Sequence, residues 1–372
     1  MRTISIFIPW FSPAYKAGGP IQSIANLIGE FNKSISFKIF CSDSDVDGTN
    51  LDVQSNTWIK YNSNSEVYYA ATKNRSIPLF VKEIKSLNTN VLFINGIYSW
   101  YFNLFPLLIS SYSRKIVSVR GMLHPGALSQ KPFKKKLYLF LWKTLRLHKK
   151  CDFHASNEEE KKYIEKVFGK KIKIFIAQNF PKIINRQLPP QKNPGVLKLI
   201  SVALISPMKN HLLVLHALQF CTEHIAYNIY GAIKDLEYWQ HCLKQIESLP
   251  VNISVKYHGD ILPTKVESAL SQSHVFILPS KSENFGHAFY EALSAGKPVI
   301  TSGNTPWKNL KVSSAGINVS LENTNEIVDA IKCFAAMGKE EYNVWSLSAN
   351  TYAAKSVNFE EIKRQYEEMF FA

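Results

Sequence analysis

Two glutamates, Glu283 and Glu291, stand eight positions apart around Gly286 in the segment Ile277–Ile300. An apolar run ends at Leu278 and a polar stretch follows. Helical spacing then runs from near Gly286 to Ala295, where Gly296 and Pro298 stop it. The first N–H groups of such a helix, those of Phe285, Gly286 and His287, suit a phosphate because they carry partial positive charge and lack helical partners. Carboxylates beside a phosphate site can accept hydrogen bonds from sugar hydroxyls. Spacing alone leaves a second reading open, in which Glu283 caps the helix and Glu291 is a solvated or paired surface residue. Lys209 enters a helical pattern after the apolar run Leu199–Val202. Taken alone, a lysine there reads as a solvated loop side chain.

The glycine pair Gly18–Gly19 follows the first apolar run, within Phe11–Pro20. Glycine permits close backbone approach to a ligand, and it equally makes an ordinary turn. Two other motifs fail. Asp43–Gly48 imitates the start of a calcium loop, but its twelfth position is Gln54 and a strand-like run precedes it. Its Asp-x-Asp lacks further ligands nearby, and no His/Cys cluster has zinc spacing, so no metal is expected. The five cysteines are widely spaced and odd in number, which reads as reduced core thiols.

The elements that must position these residues alternate along the chain. Ile4–Ile8, Ser36–Cys41, Val91–Ile94 and Ile116–Val119 read as strands, and Ile21–Phe31 and Leu137–Leu147 as helices. The pattern repeats in strands Leu199–Val202, Ala226–Tyr230, Ser254–His258, Val275–Leu278 and Pro298–Thr301, with helices Leu212–Phe220 and Ala288–Ala295 between them. Alternation of this kind argues for doubly wound parallel sheets. With 372 residues, 46% of them hydrophobic, the chain excludes disorder and has length for about two domains. We place an N-terminal domain at 1–185, a proline-rich linker at 186–196, a C-terminal domain at 197–350 and a final helix at 351–372.

Charge is segregated. Residues 1–190 carry 28 basic and 12 acidic side chains, the remainder 16 and 17, so the whole net charge of +15 lies in the first half. Such a half meets something anionic. Lys131–Lys150 has eight basic residues and no acidic one. On a helical wheel Leu137, Tyr138, Phe140, Leu141, Leu145 and Leu147 share one arc; Lys135, Lys136, Lys143, Arg146, Lys149 and Lys150 share the other, with Leu139 and, at the border, Trp142 among them. A basic amphipathic helix of that kind suits an anionic membrane surface, although its apolar side can also be plain core under solvated lysines. No nucleic-acid module is present. The charge-free stretch Ser86–Ser113 is broken by asparagine, glycine and proline, and reads as a buried strand and a helix, Phe102–Ser110, rather than a membrane span. The opening apolar run is too short for a secretory signal.

With its flanking residues, the segment Ser282-Glu-Asn-Phe-Gly-His-Ala-Phe-Tyr-Glu-Ala-Leu-Ser-Ala-Gly-Lys-Pro-Val-Ile300 resembles the donor-binding signature of the family 4 retaining glycosyltransferases, the group 1 glycosyl transferases of GT-B fold. Ile200–His211 and Val119–Lys131 are similar to further segments of that family, the latter to its polysaccharide and O-antigen members. The resemblance implies two Rossmann-like domains facing a central cleft, with the last helix crossing back to the first domain. It implies transfer with retention, without metal or other cofactor, from a nucleotide-diphosphate sugar. Lys209 and the Phe285–His287 turn would hold the diphosphate, Glu283 the donor sugar with Asn284 beside it, and Glu291 the ribose. Arg120, where many relatives place a histidine, His124 and the Gly18–Gly19 loop would serve the acceptor side. The acceptor would be a saccharide or a lipid-linked saccharide. The setting would be bacterial surface-polysaccharide or lipopolysaccharide synthesis, in the cytoplasm at the inner face of the cell membrane. The family pairs an arginine with the lysine; Leu204 stands at that position. That departure keeps open a catalytically silent scaffold, and the fold also admits a nucleotide-sugar epimerase.

Overall fold

The structure, a computed structural model, describes residues 2–31, 35–72, 77–87, 89, 91–109, 112, 114–129, 131–186 and 189–371. Asn88, Asn90, Ser110, Ser111, Ser113, Gln130, Gln187 and Leu188, which belong to stretches read above, lie outside the described residues. The chain forms two compact units, one of residues 1–180 with 359–372 and one of residues 181–358.

In the first unit the strands are β1 (Arg2–Phe7), β2 (Ile35–Ser42), β3 (Trp58–Lys60), β4 (Ser65–Ala70), β5 (Val91–Asn95), β6 (Arg114–Ser118), β7 (Asp152–Ala155) and β8 (Ile174–Ile176). They lie in the order β3-β4-β2-β1-β5-β6-β7-β8, parallel except for β3 against β4. β5 is buried along its whole length, as befits an inner parallel strand covered on both faces. The helix Phe359–Phe371 turns Ile362, Tyr366, Met369 and Phe370 inward. The Tyr366 ring stacks on Phe180, and Phe370 meets Phe93 edge-on. The stretch 351–372 is therefore not one helix. It holds the end of Lys339–Ser356, a break at Val357–Asn358, and Phe359–Phe371.

The second unit has β9 (Val196–Val202), β10 (His224–Tyr230), β11 (Ile253–Tyr257), β12 (Val275–Leu278), β13 (Val299–Ser302) and β14 (Gly316–Val319), all parallel in the order β11-β10-β9-β12-β13-β14. The proline-rich approach to β9 is pinned to this unit by Lys192. Its buried ammonium donates to the carbonyls of Asn193, Ala335 and Met337 at 2.8–3.0 Å.

The basic helix, Pro132–Thr144, corrects the sequence reading. Tyr138, Leu139 and Trp142 are its buried residues, whereas Leu137, Phe140 and, beyond its end, Leu145 are exposed. Trp142, expected at a membrane border, is fully buried between Phe153 and Phe168. The wheel ran to Leu147, but the helix stops at Thr144 and the chain turns through a left-handed Arg146. Over the shorter helix both faces are apolar, and the one with two large rings packs on the sheet.

Candidate functional site

In the second unit the chain runs β9 to β10 to β11 on one side and then returns to place β12 on the other side of β9. The loops leaving β9 and β12 therefore diverge, and an open parallel sheet binds its ligands beyond such a switch point. Lys209 and Glu283 lie in these two loops. Lys281 N–H donates to Met208 O at 2.8 Å and holds the loops together. Lys209 Nζ donates to Glu283 Oε1 at 2.5 Å, and Ser280 Oγ donates to the same oxygen at 2.7 Å. Glu283 is thus gripped by a cation and a hydroxyl and caps nothing: the helix that follows, His287–Ser294, has no side-chain cap.

That helix starts from a left-handed Gly286, φ +77°. A Cβ there would come within 2.6 Å of Phe289 Cδ2, so the turn requires glycine. The first helical bond is donated by Phe289 N–H to Gly286 O at 3.0 Å, which leaves the preceding amides outside the ladder. Half-buried Asn284 precedes Phe285. The Phe285 ring packs on His287, Tyr290 and Trp307, and its carbonyl accepts from Trp307 Nε1 at 2.9 Å.

Glu291 lies one turn further and is buried, not solvated. Among the described residues no hydrogen bond or ion pair reaches its carboxylate. Burial raises its pKa to about 7, against the opposing charge of Lys182. Glu291 is therefore divided between acid and carboxylate near neutrality, as functional carboxyls often are. Beside Lys209, His211 is fully buried; burial and the Lys209 charge lower its pKa to about 3, so it is neutral. Half-buried Leu204 brings no second cation. Ser280, Trp307 and Lys182 escaped the sequence reading. Ser280 and Trp307 do follow strands β12 and β13 at their carboxyl ends, the one signal that could have drawn attention to them.

The remaining candidates lie in the first unit. Gly18 has φ +71°, and the helix Gly19–Glu30 begins directly after it. Asp45 Oδ2 holds the preceding loop, accepting from the N–H groups of Tyr15 at 2.9 Å and Lys16 at 3.1 Å, while Asp47 pairs with Lys16 Nζ. Asp43 accepts from Ser55 and Thr72. The aspartates of the calcium-like motif thus staple loops, and among the described residues no group of three or more His/Cys/Asp/Glu side chains could hold a metal ion. Arg120, left-handed at φ +50°, donates through Nε to Asn95 Oδ1 at 2.9 Å and through Nη1 to Asn179 Oδ1. Among the described residues its buried Nη2 makes no well-formed hydrogen bond, and the guanidinium acts on the Tyr366 hydroxyl. Its neighbour Gly121 N–H donates to Glu160, which also accepts from Ser156 N–H. His124 caps the short helix Pro125–Leu128, its Nδ1 accepting from Gly126 N–H at 3.0 Å.

Residues 184–346 match the family model described as Glycosyl transferases group 1. A curated relative, the alpha-monoglucosyldiacylglycerol synthase of Streptococcus pneumoniae, is 28% identical over 125 residues; the match spans 34% of this chain and only 28% of that enzyme. Among solved structures, Anabaena HepE in complex with UDP and glucose superposes with a TM-score of 0.71 at 14% identity, over 99% of both chains. WaaG, a glycosyltransferase involved in lipopolysaccharide biosynthesis, superposes with a TM-score of 0.70 at 11% identity, over 99% of this chain and 100% of that one. At such identities the likeness is one of fold. The fold is GT-B, and the match to the group 1 glycosyl transferase model falls within the second unit, where the Ser282–Ile300 segment lies.

Proposed function

From the group 1 glycosyl transferase domain at 184–346, we propose that this chain transfers a sugar, with retention, from a nucleotide-diphosphate sugar to a saccharide acceptor carried on a lipid, in bacterial surface-polysaccharide synthesis. The observation that carries the reading is the meeting of Lys209 and Glu283 at the β9/β12 switch point, beside the uncapped start of the helix that bears buried Glu291. Lys209 and the amides of the Phe285–His287 turn neutralise the diphosphate. In the donor complex Lys209 turns its charge from Glu283 to the phosphates, and Glu283 takes hydroxyls of the donor sugar. Glu291 accepts from the ribose. Arg120, His124 and the Gly18–Gly19 loop serve the acceptor, and Asn284 the sugar.

The bond between the sugar's anomeric carbon and the diphosphate oxygen breaks. The acceptor oxygen bonds to that carbon on the same face, and its proton passes to the departing phosphate oxygen. The side chains described offer no better placed base. Cationic charge at the leaving group comes from Lys209 and the helix start, with no metal. The lipid carrier is supported by the basic first unit and by the name of the glucosyldiacylglycerol synthase relative.

Thermal stabilisation by UDP, GDP, ADP, CMP and dTDP tests the donor site. One nucleotide is expected to raise Tm selectively, and the effect is expected to vanish in Lys209→Ala and Glu291→Ala. No shift with any nucleotide would leave a silent scaffold as the better account of Leu204.

A further inference from the structure

Lys297 is a buried cation that the donor site does not use. It stands just before β13, at the end of the sheet opposite the loops that carry Lys209 and Glu283. Its side chain is fully buried, and among the described residues Nζ has no hydrogen-bond partner. The helix His287–Ser294 ends directly in front of it. Gly296 N–H donates to Leu293 O at 2.9 Å and Lys297 N–H to Ala292 O at 2.8 Å. Backbone groups thus close the helix, and the ammonium takes no part. Gly296 is left-handed at φ +75°, and a Cβ there would lie 2.9 Å from Ser346 Oγ and 3.0 Å from Arg186 Cγ. Glycine therefore lets both side chains close on the turn. Arg186 Nε donates to buried Ser346 Oγ at 3.4 Å, and its Nη groups bond to nothing among the described residues. Arg186 itself is exposed and forms the solvent side of the group.

The charges here do not balance. Burial, and then the like charge of Arg186, lower the Lys297 pKa to about 8. Among the described residues no carboxylate comes within ion-pair distance of Lys297 or Arg186. Glu341 acts on Lys192 instead. Buried His274 brings no counter-charge: its Nδ1 accepts from Lys198 N–H at 3.0 Å, and its Nε2 meets Gln191 O at 3.2 Å. An ammonium buried with neither partner nor counter-charge destabilises a fold, where a methionine of similar length would not. A bound anion supplies both. The ammonium, the guanidinium fork and the Ser346 hydroxyl offer donors from different directions, which suits tetrahedral oxygens better than a planar carboxylate. Two cations also match a dianion, whereas a carboxylate leaves one of them uncompensated. We infer that Lys297, Arg186 and Ser346 form a second anion site, for a phosphate-sized tetrahedral dianion, at the amino end of the second unit's sheet. The anion enters from the side of exposed Arg186. None of these residues belongs to the proposed donor site, so the two readings fail separately.

The experiment is a set of thermal melts of the full chain in sodium phosphate, against sodium chloride and sodium acetate at the same pH and ionic strength. Phosphate also suits the donor site, so the melts are repeated in Lys209→Ala. Phosphate is expected to raise Tm in the parent and in Lys209→Ala, and chloride and acetate are not. Lys297→Met should melt above the parent without phosphate and lose the phosphate shift, while keeping the parent's response to nucleotide. Arg186→Gln should weaken the apparent phosphate affinity about tenfold, the loss of one charge-assisted hydrogen bond. A phosphate shift that persists in Lys297→Met, one that vanishes in Lys209→Ala, equal stabilisation by acetate, or no shift in the parent would overturn the inference.

Discussion

Glu291 couples stability to pH in a direction opposite to most carboxylates. Its folded pKa of about 7 lies above the ordinary 4.5. Between those values the folded state holds a proton that the unfolded state has lost, so stability falls as pH rises from about 4.5 through 7. Glu291→Gln removes the titration. It is expected to stabilise the protein at pH 8 by about 3 kcal/mol and to do little below pH 4.5, read from denaturant unfolding at the two pH values. The same change should weaken nucleotide stabilisation, so a gain in Tm with a loss of ligand response is the signature of a functional carboxyl. At this scale the sequence exposed the pair Glu283 and Glu291 but not their environments. A glutamate just before a helix reads equally as a cap, and only Lys209 and Ser280, 74 and 3 residues away, decide otherwise.

At the scale of elements, the turn that starts His287–Ser294 depends on one backbone conformation. Gly286→Ala forces a side chain into a left-handed residue and against Phe289. It is expected to lower stability by more than about 1 kcal/mol and to abolish the nucleotide-induced Tm shift, both measurable by thermal melts with and without nucleotide. Element types along most of the chain were legible from periodicity: β1, β2, β5, β6 and β9–β13 all lie where apolar runs stand. β3, β4, β7, β8 and β14 were not: β3 and β8 have three residues each, and β4, β7 and β14 are mixed in polarity, Ser-Glu-Val-Tyr-Tyr-Ala, Asp-Phe-His-Ala and Gly-Ile-Asn-Val. The orientation of Pro132–Thr144 was illegible for a different reason. A pattern apolar on both faces says that a helix forms without saying which face the sheet receives, and contacts from Phe153 and Phe168, on the elements that follow the helix, make that choice.

At the scale of the whole molecule, the first unit is completed by residues from beyond the second. Ending the chain at Asn358 removes Tyr366 and Phe370, whose rings meet Phe180, Phe93 and Phe31. Loss of two such core aromatics exceeds the stability of many domains. Calorimetry of the shortened protein is expected to show the second unit melting much as before and the first unit's transition lost or moved far down. The interrupted layout also sets an order of events at the ribosome. Residues 181–358 are continuous and can fold as soon as they emerge. The eight-stranded sheet, made before that stretch, must wait with Phe93 and Phe180 uncovered until the helix Phe359–Phe371 arrives. A nascent first unit therefore spends the synthesis of some 180 residues as a client for chaperones, and pausing translation in that interval should favour its aggregation over that of its C-terminal partner.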